Sequence, residues 1–277
     1  MEHFSLVEYR PFQSMSETVR KCSSMRCRQY LPGEHLQPYI SCYWTMTSDV
    51  ELAEPISHRV IPDGCVDIIF DLCGCSYGEA ASIAGTMTRP IFAELRGRVN
   101  YLAIRFLPGG FLHFFDSPAY HFTDRIIPLE MMSGKGQHDL TERLIRESPI
   151  SDKIELLESY LGGLLMRNNR NDPAVRSTLR NILKHKGNIE ISQLSRNANT
   201  SRRQLCRKFS KWIGISPKSF CRIIRFQNIL RALPPRSRRN LLHVALDGGY
   251  YDQSHFIHEF NSYYGLNPSE FLRHEKF

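Results

Sequence analysis

Arg203, Arg207 and Lys211 recur at four-residue spacing within SRRQLCRKFSKWIG, residues 201–214. Leu205 and Phe209 fall between them, and Trp212 and Ile213 follow. On a helix of ~3.6 residues per turn the two sets occupy opposite faces. The apolar set can pack on a domain while the cationic set meets a polyanion. A guanidinium carries a fixed fork of donors that fits guanine O6 and N7, or a phosphate. The chemistry on offer is recognition of nucleic acid, not bond making. A lone helix of this kind is usually a solvated surface, so its setting must decide.

The setting repeats. Sliding DQSHFIHEFNSYYGLNPSEF, residues 252–271, by 51 positions aligns Phe260, Gly265, Pro268 and Phe271 with Phe209, Gly214, Pro217 and Phe220. In each copy a short apolar-marked helix precedes, with Ile191 and Leu194 in the first and Val244 and Ala245 in the second. The turns are NANT (197–200) and Gly248-Gly249. Short helix, tight turn and second helix with a polar outward face is the helix-turn-helix plan. The outward positions matching Arg203, Arg207 and Lys211 are Ser254, His258 and Ser262, so the second copy carries little positive charge. The spacing predicts helices over 201–213 and 252–264 and a linking helix over 216–233. That link would span ~27 Å, near the ~34 Å between successive major-groove faces.

Charge is split along the chain. Residues 173–277 carry 19 Lys and Arg against 6 Asp and Glu, while residues 1–172 carry 17 against 22. The basic part suits a polyanion and the acidic part does not. Helix-start signals recur after the polar stretch RNNRND: Asp172-Pro173, Ser216-Pro217, and Asn267-Pro268 with Glu270 three residues on. About seven helices and no strand are expected between 173 and 275. The expected domains are a sensor-like 1–170 and a DNA-binding 171–277.

The C-terminal pattern resembles the AraC/XylS family of bacterial transcription regulators. It runs Ile191-x-x-Leu194, Ser201-x-Arg203-x-Leu205-x-Arg207-x-Phe209, Gly214-Ile215-Ser216-Pro217, Arg225-Phe226-Gln227, Val244-Ala245, Gly249-Tyr250-x-Asp252-x-Ser254-His255-Phe256, Phe260 and Gly265-x-x-Pro268. The resemblance implies a DNA-binding transcription regulator, activator or repressor, with operator DNA and RNA polymerase as partners. It implies that Arg203, Cys206 and Arg207 face bases from the first unit, and Tyr251, Ser254, His255 and His258 from the second. Arg202, Lys208, Lys211 and Arg236, Arg238 and Arg239 of the loop PPRSRRN would touch phosphate, which orients without specifying.

The first 130 residues read as strands. YISCYWTM, VDIIFDL and YLAIRFL alternate with turn clusters such as LPGE, IPDG and LPGG, which suggests a sandwich or small barrel. Asp63-Gly64 reads as a hairpin turn. Helices follow over about 138–147 and 152–166, whose apolar faces would either pair two copies or pack on the strands. RVIPDGCVDIIF, AGTMTRP and IRFLPGG resemble a sensor-like domain found ahead of such DNA-binding domains, β-rich and cupin-like. The fold class expected is α+β. Tyr43, Trp44, His58, Arg59, Asp67 and Arg105 are the candidates for an effector pocket taking a small molecule, Trp44 having a plain core reading beside it.

Eight cysteines, six of them in the first 75 residues, fit reduced thiols better than a zinc or redox set, because no Cys-x-x-Cys pair or His knuckle accompanies them. No cofactor or metal is expected. An enzyme is the alternative class, as a cupin-like metal enzyme or a DNA-repair protein. It lacks its His-x-His run, and His255-x-x-His258-Glu259 matches neither order of the zinc-protease motif. No catalytic residue is assigned. MEHFSLVEYRPF has no secretory pattern and no apolar run approaches a membrane span, so a cytoplasmic protein is expected.

Overall fold

A computed structural model describes residues 9–13, 17–73, 80–132, 137–146, 149–168, 170–233 and 241–274. The N-terminal part comprises α1 (Glu17–Lys21), β1 (Met25–Tyr30), β2 (Ile40–Ser48), β3 (Leu52–Val60), β4 (Val66–Asp71), β5 (Ala81–Ala84), β6 (Ile91–Gly97), β7 (Asn100–Phe106), β8 (Ile126–Pro128), α2 (Gln137–Arg146) and α3 (Ile150–Arg167). Six strands form one antiparallel sheet in the order β1-β2-β7-β4-β5-β8, and β3 pairs with β6 as a separate ribbon.

Alternation along the strands gives the large sheet two unlike faces. Tyr43, Ile68, Phe70, Leu102, Ile104 and Phe106 point into a core shared with Phe111, Phe114 and Phe122. Leu140 and Leu144 of α2 and Leu157 and Leu161 of α3 close that core. The apolar stripes of these helices thus pack on the strands. Trp44, Met46, Asp67, Ile69, Tyr101 and Arg105 point the other way, toward the ribbon. Asp63-Gly64 joins β3 to β4, which lie in different sheets, so this turn is no hairpin. Gly64 still needs its left-handed φ of 81°, and Asp63 Oδ1 accepts the Cys65 N–H at 2.9 Å to close the turn.

The C-terminal part is helical: α4 (Pro173–Lys184), α5 (Ile191–Asn197), α6 (Arg202–Ile213), α7 (Pro217–Ala232), α8 (Leu241–Asp247), α9 (Gln253–Tyr264) and α10 (Pro268–His274). These are seven helices among the described residues, as the start signals predict. Asp172 caps α4 through Ala174 and Val175 N–H, and Ser216 caps α7 through Ser219 N–H. Asn267 and Glu270 exchange backbone-to-side-chain bonds of 2.9 Å each, a reciprocal capping box.

The two parts share one core. Tyr9, Ile61, Cys65, Leu107 and Leu112 cluster with Phe209, Trp212, Phe220 and Phe226. Within the stretch that reads as a polar linker, two residues contact the N-terminal part: Asn168 donates to Phe114 O at 2.7 Å, and Arg170 pairs with Asp116 at 3.1 Å. Among the described residues no helix is long and apolar enough to cross a membrane.

Candidate nucleic-acid interface and effector cavity

The first unit is α5, its turn and α6. Asn199 takes the left-handed φ of 47° that turns the chain, a conformation Asn tolerates better than most residues. Ser201 then caps α6 by accepting the Gln204 N–H. Leu205, Phe209, Trp212 and Ile213 are buried, which forces the opposite face outward. Arg202, Arg203, Arg207 and Lys211 are exposed there, and Cys206 is half-buried beside them. Lys208 instead pairs with the capping Asp172 at 3.0 Å, so part of its charge serves α4.

The second unit is α8, its turn and α9. Phe256, Phe260, Tyr263 and Tyr264 are buried, while Ser254, His255 and His258 are exposed. Gly249 is its left-handed turn residue, with φ 78°. Asn199 and Gly249 lie 50 apart, but the caps Ser201 and Asp252 lie 51 apart. The second unit therefore has one more residue between turn and helix. Tyr250 is buried and Tyr251 stands out, 89% exposed, at the mouth of the unit. Sliding by a constant offset hides this insertion.

One residue that sequence reasoning missed sits behind the second face. The Glu259 carboxylate is buried, with Arg225 at 3.5 Å, Arg222 at 3.7 Å and His255 at 3.8 Å. It ties α9 to α7 and gives His255 an inward partner as well as an outward face. Spacing gives no signal for it, because Glu259 falls among the apolar positions of the helix. Arg236, Arg238 and Arg239 lie outside the described residues.

The N-terminal part grips both units at their ends. Thr86 Oγ1 donates to Ile213 O at 2.6 Å and Thr123 Oγ1 to Gly214 O at 2.7 Å, capping the C-terminus of α6. At the matching end of α9, Arg59 lies 4.6 Å over the Tyr264 ring, and a Cβ on Gly265 would come within 3.5 Å of Phe92. Between them Gln227 of α7 is fully buried. Its amide donates to Phe12 O and Pro62 O and accepts from Phe12 N at 2.7 Å. All of these contacts avoid the outward faces of α6 and α9.

Between the large sheet and the β3–β6 ribbon lies a cavity of about 340 Å³. Of the six effector candidates, Trp44, His58, Asp67 and Arg105 line it. Arg105 binds Asp67 through Nη2 at 2.7 Å and Nε at 3.0 Å, and the Trp44 indole N–H donates to the same carboxylate at 3.0 Å. Burial, reinforced by the Arg105 guanidinium, lowers His58 to about 4 and keeps it neutral. Tyr43 and Arg59 do not line the cavity. Each adjoins a lining residue in its strand, and strand alternation turns it to the other face. Tyr43 enters the aromatic core and Arg59 reaches Tyr264. Gln13 and Tyr101, which no sequence signal singles out, also line it.

Two family models match. Residues 28–128 match a domain of unknown function (DUF6597), and residues 194–274 match a helix-turn-helix domain. An uncharacterized HTH-type transcriptional regulator of Haemophilus influenzae is 36% identical over 83 residues, 30% of this chain and 28% of that one. The XylDLEGF operon transcriptional activator of Pseudomonas putida is 32% identical over 90 residues, 32% of this chain and 28% of that one. The chain thus spans less than a third of the length of these curated relatives. Among solved structures, ToxT of Vibrio cholerae aligns over 92% of this chain and 100% of its own, at 13% identity and a TM-score of 0.41. The repeat, its caps and these matches agree: residues 194–274 are similar to a helix-turn-helix domain and residues 28–128 to a domain of unknown function.

Proposed function

We propose that this protein is a sequence-specific DNA-binding transcription regulator, with α6 and α9 as its two recognition helices. The observation that carries the reading is that both helices leave their outward faces open while the N-terminal part holds only their ends. Arg203 and Arg207 read bases with Cys206 beside them, and Arg202, Lys208 and Lys211 hold phosphate. Tyr251, Ser254, His255 and His258 enter the second groove, and the loop with Arg236, Arg238 and Arg239 adds phosphate contacts. We divide the chain at 170/171 into regulatory and DNA-binding domains, in the cytoplasm and without enzymatic activity.

We further propose that a small molecule in the ribbon cavity controls DNA binding. The ribbon supports this: His58, Val60, Ile91 and Ala93 line the cavity, while Arg59 and Phe92, on its other face, touch the end of α9. The wall of the cavity is thus one strand thick. RNA polymerase and a second copy of the chain are the remaining partners of the proposal; the buried stripes of α2 and α3 are not the dimer face.

Selection of binding sites from random duplex DNA, followed by footprinting, tests the reading. The expected footprint has two protected major-groove segments about 10 base pairs apart on one side of the duplex. Binding without sequence preference, unaffected by Arg207→Ala, would overturn it.

A further inference from the structure

The walls of the ribbon cavity indicate the chemistry of its occupant; this inference rests on the effector reading above. One wall is the sheet face with Trp44, Met46, Ile69 and Tyr101, and the other is the ribbon face with His58, Val60, Ile91 and Leu95. Two β layers facing each other leave a slot, which suits a flat molecule better than a round one.

The charges inside are already spent. Both oxygens of Asp67 accept from Arg105, and one also accepts from Trp44. An anionic ligand would face Asp67 with the Nε and Nη2 donors of Arg105 already engaged. A cationic ligand would meet the buried guanidinium. Either would bring an uncompensated charge out of water. Asp71 is half-buried, and Arg28 and Glu94 are exposed at the rim, where Glu94 pairs with Arg96 at 2.7 Å.

One polar atom inside has no partner. Among the described residues lining the cavity, His58 Nδ1 is the buried side-chain nitrogen or oxygen that makes no hydrogen bond. A buried polar atom left alone is costly, so it favours a ligand that completes it. The imidazole is neutral, as described above, and can offer Nδ1 as acceptor or donor according to tautomer. The Trp44 ring is held in place by its own bond to Asp67, which provides a fixed apolar surface.

We propose that the cavity takes an uncharged, flat, mostly apolar molecule whose polar group hydrogen-bonds His58 Nδ1 while its body lies along Trp44.

Three probes share one ring and differ in charge: indole, indole-3-acetate and tryptamine. Calorimetric titration of the full chain near pH 7 should give saturable one-to-one binding of indole, at least about tenfold tighter than either charged probe. His58→Leu should weaken indole about tenfold or more, while Tyr43→Phe, on the opposite face of the sheet, should leave it unchanged. Hydrogen exchange on the unaltered chain provides a check that needs no variant. Indole should protect amides at 56–60 and 91–95.

Tighter binding of a charged probe overturns the ligand class and leaves the effector reading standing. Saturable binding that protects a different region, or no saturable binding by any probe, also overturns the class. Binding as expected with unaltered affinity for the selected operator supports the class and counts against the effector reading.

Discussion

At the scale of single residues, the charge difference between the units becomes a difference in what each contributes. Arg207 is exposed on α6, and the matching residue His258 is exposed on α9. A bidentate arginine–guanine contact is worth about 1–3 kcal/mol of discrimination. Arg207→Ala should therefore weaken operator binding roughly 10- to 100-fold at fixed salt, and His258→Ala less than about threefold, by fluorescence anisotropy. Equal losses would count against a dominant first unit. Acid should also destabilise the fold. Burial lowers His58 and His113 each to about 4, below the ~6.5 of an unfolded histidine. The unfolded chain then binds more protons between those values. This contribution is whole above about pH 6.5, falls as pH drops toward 4, and levels off below. Since His113 is partly solvated, we expect on the order of 2 kcal/mol from the pair. Urea unfolding at pH 7 and pH 5 should show a larger drop for the native chain than for a His58→Gln/His113→Gln variant.

At the scale of elements, legibility followed periodicity. The helical faces and caps of α6, α7 and α9 are local patterns, and their bounds came within a residue or two of the spacing. Pairing of strands is not local. Nothing in LAEPISHRV states that β3 leaves its neighbour β4 to pair with β6 across 30 intervening residues, Ile61 to Pro90. That choice decides which of His58 and Arg59 sees the cavity. It also yields an element-level expectation. Thr86→Val and Thr123→Val together remove two side-chain bonds to the last carbonyls of α6. The doubly substituted chain should lose roughly 2 kcal/mol by urea unfolding. Hydrogen exchange should rise at residues 210–214 more than at 260–265. Equal change at both ends would argue that the two grips act as one.

At the scale of the molecule, the N-terminal part is a frame that fixes the two helix-turn-helix units on one linking helix. α7 has 16 residues, or ~24 Å of helix, somewhat shorter than the spacing alone implies. Gln227 holds it with its amide fully engaged, so truncation removes its bonds to Phe12 and Pro62 from inside the joint. Gln227→Ala should cost about 2–4 kcal/mol and expose the 61–65 turn to exchange. Gly64→Ala should loosen the same joint, since its Cβ would fall 2.4 Å from the Phe220 ring, at a φ that disfavours any side chain. Urea unfolding and exchange measure both. Retention of native stability in either variant would remove the frame.

The sequence by itself determined the C-terminal units: their number, their basic and apolar faces, their caps and their kinship. Helical periodicity writes each face into residues three and four apart, so the information is local. Tertiary structure alone decided that Tyr43 and Arg59 leave the cavity, that Glu259 and Gln227 are buried hubs, and that one core joins the two parts. These depend on which strand meets which and on contacts such as Phe12 with Gln227, 215 residues apart. No window of sequence contains such a pair. Only the packed chain brings it together.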